Sequence, residues 1–148
     1  MLTEKDYCDY ETCVALKELG FNEPTLAYYH GFLSSKPLLY LVIDEDCMPE
    51  DGVNVFDLLS NSNKYKDSKN IDAPTLWEAQ KWLREEKDIF IYPIVDKFLD
   101  EEGNTMWNCQ IYIPYVLIKF THPKNTFEDA LLDGIKEAIK FIKENEET

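Results

Sequence analysis

The sequence predicts an α+β fold: an antiparallel sheet of four to five strands packed with two or three helices, its C-terminal half running helix–strand–strand–helix. Three observations carry this expectation. Thr75-Leu76-Trp77-Glu78 and Thr126-Phe127-Glu128-Asp129 each open an amphipathic segment with a Thr and, three residues later, a carboxylate. In that arrangement the hydroxyl accepts from a backbone N–H one turn on and the carboxylate returns the bond, so helix starts are legible. Two strand-like runs lie between these segments, and 148 residues at 45% hydrophobic and 14% aromatic suffice to bury the core of one domain spanning residues 1–148.

In chain order, Cys8, Thr12, Ala15, Leu16 and Leu19 recur at helical spacing, with Asp9 at the N-cap and Gly20 where a left-handed residue ends a helix. Thr25 to Leu33 and Pro37 to Ile43, rich in Leu, Tyr, Val and Ile, read as a hairpin. Asp44 to Gly52 is acidic and turn-like, and Val53 to Leu59 reads as a short helix or an irregular apolar tuck. Ser60 to Asn70 offers almost nothing to bury, which marks an exposed loop and the place for a sub-lobe boundary.

Leu76, Ala79, Trp82 and Leu83 form one stripe of a helix running to about Lys87, preceded by Pro74, which holds Ala73 extended. Ile89 to Phe98 and Met106 to Ile113 read as strands joined through Gly103 and Asn104. In the second strand Trp107, Cys109, Ile111 and Ile113 share one face while Asn108, Gln110 and Tyr112 share the other, so one face is buried and one is wetter. Pro93 and Pro114 lack ladder donors and belong at an edge, a bulge or a strand end; Tyr115 to Phe120 is expected to continue the strand past a bend at Pro114. Phe127, Ala130, Leu131, Gly134, Ile135, Ala138, Phe141 and Ile142 make the apolar face of the last helix. Gly134 costs about 1 kcal/mol of helix propensity relative to Ala, so its place on the buried face implies close approach of another element.

The strings ETCVALKELGFNEP (Glu11 to Pro24), IDAPTLWEAQKWLREEK (Ile71 to Lys87) and TFEDALLDGIKEAIKFI (Thr126 to Ile142) together resemble, in order and wording, a family of short uncharacterised proteins of Bacteroides-type gut bacteria and their phages or mobile elements. In that family a KLKELGF-EP beginning, an APT-AQKWLRE middle and a T-EEAL-GI-EALK-I end recur around variable strands. The resemblance implies a shared scaffold and genomic setting, and it brings no activity, cofactor or catalytic residue with it. The departures fall in Asp44 to Asn70 and Asp100 to Met106, where an individual function would reside.

The formal charge of −14, from 29 acidic and 15 basic residues, opposes direct nucleic-acid binding, which rests on Lys and Arg displacing counterions, and opposes docking on anionic membranes. An N-terminus reading MLTEKDYCDYE lacks the basic and apolar regions of a secretory signal, and Cys8, Cys13, Cys47 and Cys109 are scattered without a Cys-x-x-Cys pair, so a cytoplasmic home is expected. His30 and His122 are far apart in sequence, and no phosphate-cradling glycine loop or zinc-type cluster exists. Asp44, Glu45, Asp46, Glu50 and Asp51 supply the oxygens that Ca²⁺ or Mg²⁺ prefer, but their spacing is not that of an EF-hand, and they read as a solvated acidic loop. No metal, cofactor or catalytic set is assigned.

What remains is aromatic. Trp77, Tyr92 and Tyr112, with Asp44 and Asp46, form the expected interaction surface, and Tyr28 and Tyr115 extend the aromatic set. The alternative for these rings is ordinary packing on both faces of a small sheet. The expected function is a non-enzymatic protein-binding or accessory protein of a phage or mobile element. A nucleic-acid mimic that blocks a host DNA-binding protein is a second reading, and a small enzyme with a site near His30 or the acidic loop a third. Any individual function is therefore expected in the loops 44–70 and 100–106 and on the sheet face that the helices leave uncovered.

Overall fold

Asp9 accepts a 3.0 Å hydrogen bond from the Thr12 N–H and so caps the first helix, α1 (Tyr10–Glu18), which gives way to Gly20 at φ 102°. The computed structural model describes residues 2–30, 37–42, 59–65, 68–96 and 101–146. Its α+β chain divides into an N-terminal unit, Tyr7–Thr75, and a C-terminal unit, Leu76–Thr148 together with Met1–Asp6.

In the N-terminal unit β1 (Ala27–His30) pairs antiparallel with β2 (Leu38–Leu41), the expected hairpin, and on its other side with β3 (Asn70–Ala73), giving the order β2-β1-β3. Helix α1 packs on β3. Asp44, Asp46 and the Val53 to Leu58 part of the apolar tuck lie outside the described residues. The polar stretch 60–70 departs from the expected exposed loop. Ser62–Lys64 forms a 3₁₀ turn, Asn63 is buried, and Asn70 opens a strand. The reason is internal pairing: Asn63 Oδ1 accepts from the Asp72 N–H at 3.0 Å and Asn63 Nδ2 donates to the Phe21 carbonyl at 3.0 Å. Polar side chains bury when each donor and acceptor finds a partner, and hydrophobic patterning does not see them.

In the C-terminal unit α2 (Leu76–Lys87) buries the predicted stripe of Leu76, Ala79, Trp82 and Leu83. Asp88, at φ 57°, turns the chain into β4 (Phe90–Val95), which pairs antiparallel with β5 (Trp107–Ile113). The expected continuation of β5 beyond Pro114 is instead a reversal. The Val116 N–H donates to the Ile113 carbonyl at 3.1 Å, Tyr115 sits at φ 62°, and β6 (Leu117–Phe120) folds back antiparallel on β5. Pro114 holds the second turn position and the left-handed residue the third, as in a type II turn. The C-terminal half is thus helix–strand–strand–strand–helix, in sheet order β4-β5-β6. In place of one sheet of four to five strands, the described residues form two of three strands each.

Helix α3 (Phe127–Glu146) starts where Thr126 Oγ1 accepts from the Asp129 N–H at 3.1 Å. Its Gly134 faces β4 and β5 so closely that a Cβ there would lie 2.8 Å from Cys109 Sγ and 2.8 Å from Ile91 Cγ2. That is the close approach its position implied. Pro93 lies on an edge strand, as its missing donor requires: Ile91, two residues earlier, gives its carbonyl to Gln80 Nε2 at 2.6 Å, away from β5, so residue 93 also turns its backbone to the open edge.

Candidate interaction surface

The β4-β5-β6 sheet has two chemically distinct faces, because successive side chains alternate and antiparallel partners share a side. Ile91, Cys109, Ile111 and Ile113 are buried on the side that Gly134 marks as covered by α3. There Cys109 Sγ donates to the Ala130 carbonyl at 2.9 Å. Burial pushes the Cys109 thiol up to about 12, with a weaker opposing pull from the Gly134 backbone and a further push from Asp133. This thiol is a packing group and no nucleophile, since reactivity needs thiolate.

The other face carries Phe90, Tyr92 and Ile94 from β4, Asn108, Gln110 and Tyr112 from β5, and Ile118 and Phe120 from β6; register sets Phe90 beside Tyr112, Tyr112 beside Ile118, and Gln110 between Tyr92 and Phe120. The Phe90 ring centroid is 6.4 Å from that of Tyr92 and 6.1 Å from that of Tyr112, so three rings form one contiguous group. Tyr92, Ile94, Tyr112, Ile118 and Phe120 are 46%, 36%, 39%, 53% and 57% exposed. Tyr115, in the β5–β6 turn, is fully exposed, and Val116 beside it is 66% exposed. Single exposed apolar residues are ordinary, whereas a contiguous set on one sheet face makes that face a candidate interaction surface.

The structure brings Tyr92 and Tyr112 to this one face. Trp77 is exposed in the first turn of α2, and among the described residues no ring contact joins it to either tyrosine. Tyr28 stacks on Tyr40 at 5.7 Å in the N-terminal unit, within the other sheet. Asp44 and Asp46 lie outside the described residues. Sequence reasoning missed Phe90, Ile94, Ile118 and Phe120 as members of the face. The alternation in β4 was a signal for the first two; the last two needed the reversal at Pro114.

Other clusters have structural explanations. Asp72, fully buried, accepts from the Ser62 N–H at 3.1 Å, the Asn63 N–H at 2.9 Å and the Ser60 hydroxyl, and so fastens the 3₁₀ turn. His30 is exposed and shares a 2.8 Å hydrogen bond with Asn70 through Nδ1. His122 belongs to the C-terminal unit and His30 to the N-terminal one. Burial holds the Cys13 thiol well above its ordinary value, aided by its hydrogen bond with the Cys8 side chain and by nearby negative charge, and its Sγ also donates to the Cys8 carbonyl at 3.5 Å. Lys119 and Glu137 pair at 2.6 Å, and that bond raises the lysine and lowers the carboxyl. The pair borders a cavity of about 130 Å³ with Lys140, Phe141 and Glu144, and an open groove of about 550 Å³ in the N-terminal unit is lined by Lys17, Glu18, Asn22, Asn63 and Lys64 among others. Neither contains a His or Cys. Among the described residues no three His, Cys, Asp or Glu side chains gather to hold a metal ion, and no helix is long and apolar enough to cross a membrane. Compared with family models, curated proteins and solved structures, the chain finds no match.

Proposed function

We propose that this chain is a non-enzymatic, cytoplasmic protein-binding or accessory protein of a phage or mobile element, belonging with the Bacteroides-type proteins whose wording it resembles. The observation that carries the binding role is the uncovered face of β4, β5 and β6, where Phe90, Tyr92, Ile94, Tyr112, Ile118 and Phe120 stand together. A face of this kind loses hydration when a partner covers it, at about 25 cal/mol per Å² of apolar area removed from water. The cytoplasmic setting is supported by Cys8, Cys13 and Cys109, all buried free thiols.

The mimic reading draws support only from the acidic total, because on α3 Lys136, Lys140 and Lys143 interleave with Glu137 and Glu144. The test of the protein-binding role is affinity capture from a host lysate with the full chain and with a Tyr92→Ser/Ile118→Ser/Phe120→Ser variant. Proteins retained by the first and lost by the second are expected. An empty capture, together with a substrate screen that finds turnover dependent on Asp, Glu or His residues, overturns the role.

A further inference from the structure

The uncovered face of the C-terminal sheet has a charge pattern as well as an apolar one. The strands β4, β5 and β6 contain a single cationic side chain, Lys119, which register places with Ile111 on the helix-covered side, where it meets Glu137 of α3. Among the strand residues of the uncovered side there is therefore no Lys or Arg, and Lys97, after β4, lies outside the described residues. Carboxylates stand at both ends of that side. Asp88, exposed, lies two residues before β4 at the end where Tyr115 turns the chain, next to Lys87, whose ammonium lies 5.6 Å from the Trp82 ring centroid; Asp96 follows β4 at the other end, accepting a 2.8 Å bond from Asn108, with exposed Glu101 and Glu102 in the connection to β5. Lys124 is the nearest cation in sequence beyond β6, and its backbone is held in a bridge to Trp107.

We propose that this face docks a partner protein through a segment presenting aromatic or aliphatic side chains flanked by Lys or Arg. The proposal rests on the protein-binding role above and adds the partner's chemistry. Charge complementarity selects this occupant. The apolar centre holds Tyr92, Tyr112, Ile118 and Phe120 against the partner's apolar groups and supplies the affinity. The carboxylates at either end attract flanking cations, set register and speed association. A second copy of this chain would set Asp88, Glu101 and Glu102 against a molecule of the same −14 charge. A single-stranded nucleic acid stacks on such rings only where a cationic groove follows its phosphates, and the described strand residues of this face supply no cation.

Panning a library of random displayed peptides on the full chain tests the proposal, with counter-selection on the Tyr92→Ser/Ile118→Ser/Phe120→Ser variant, its folding checked by circular dichroism. Expected are peptides with Lys or Arg on either side of Trp, Phe, Leu or Ile. Their affinity falls at least about tenfold on that variant, weakens several-fold on Asp88→Asn/Glu101→Gln/Glu102→Gln, and declines as salt is raised. Peptides that need the face but show no basic bias and no salt dependence overturn the partner chemistry and leave the protein-binding role standing. A dimer in sedimentation velocity that the face variant abolishes, or retention of a fluorescent oligothymidine, overturns it in favour of those occupants. If no peptide needs the face and lysate capture is empty as well, the role falls with the proposal.

Discussion

Asp72 and Gly134 each govern what packs on a three-stranded sheet, and they do so by opposite means. In the N-terminal unit a fully buried carboxylate accepts from Ser60, Ser62 and Asn63 and so pins a polar turn against β3. In the C-terminal unit a missing side chain lets α3 approach Cys109 and Ile91 within distances that leave no room for a Cβ. Polar networks hold by satisfaction and fail when one member is removed, while apolar contacts hold by fit and fail when volume is added. The sheet at Asp72 and the sheet at Gly134 are therefore vulnerable to opposite kinds of substitution.

The largest effect is expected at the clamp. Asp72→Ala leaves the buried Asn63 N–H and the part-buried Ser62 N–H without their acceptor and should cost about 3–5 kcal/mol. Alkylation of Cys8 and Cys13 should then begin at lower urea, and an unchanged alkylation midpoint would show that Asp72 does not hold this unit together. Gly134→Val overpacks the other unit and should cost about 3 kcal/mol, read by fluorescence because Trp77, Trp82 and Trp107 all lie in the C-terminal unit. The sign for Gly134→Ala is the sharper result: helix propensity alone would stabilise by about 1 kcal/mol, whereas crowding against Cys109 and Ile91 predicts a loss.

Alkaline pH probes the same contact without changing its shape. Because Cys109 stands at about 12 in the folded chain against 9.0 ordinarily, the unfolded state releases this proton first. Its contribution is complete below the ordinary thiol value and is lost as pH rises from there towards 12, at a slope of at most about 1.4 kcal/mol per pH unit. Urea titrations at rising pH, read by the tryptophans of the C-terminal unit, should show that slope, and Cys109→Ala should reduce it; the raised Cys13 thiol adds a loss of its own in the other unit. The helix caps come next, one in each unit: Asp9→Ala and Thr126→Ala should each cost about 1 kcal/mol, and matching losses in thermal unfolding would show that local capping does not distinguish the units. Smallest is Glu137→Gln, expected to shift stability by less than about 0.5 kcal/mol because the Lys119 pair is exposed. The lowered carboxyl contributes above its ordinary range and loses that contribution as pH falls through its folded value, and the raised Lys119 loses its share as pH climbs through its own.

Legibility from sequence followed the same division. The C-terminal helices were readable because apolar residues recur at helical spacing from Leu76 to Leu83 and from Phe127 to Ile142. Tyr92 and Tyr112 were readable as surface aromatics, and the two sides of β5 as unlike. β6 was not separated from β5, because the turn at Pro114 places Tyr115 in a left-handed conformation that usually announces itself with Gly or Asn. β3 and the Ser60 to Asn63 turn were hidden for another reason: their burial depends on hydrogen-bond partners that lie between 9 and 42 residues apart.

By itself the sequence determined the α+β class, the caps at Asp9 and Thr126, the left-handed exit at Gly20, the covered and uncovered sides of β5, and the close approach at Gly134. All of these follow from local conformational preference or from the spacing of apolar residues along one element. Tertiary structure alone decided that the described residues form two three-stranded sheets, that Asp72 is a buried anchor, and that Phe90, Tyr92, Ile94, Tyr112, Ile118 and Phe120 share one exposed face. Strand register and the partners of buried polar groups are relations between distant segments, and no single segment's periodicity encodes them.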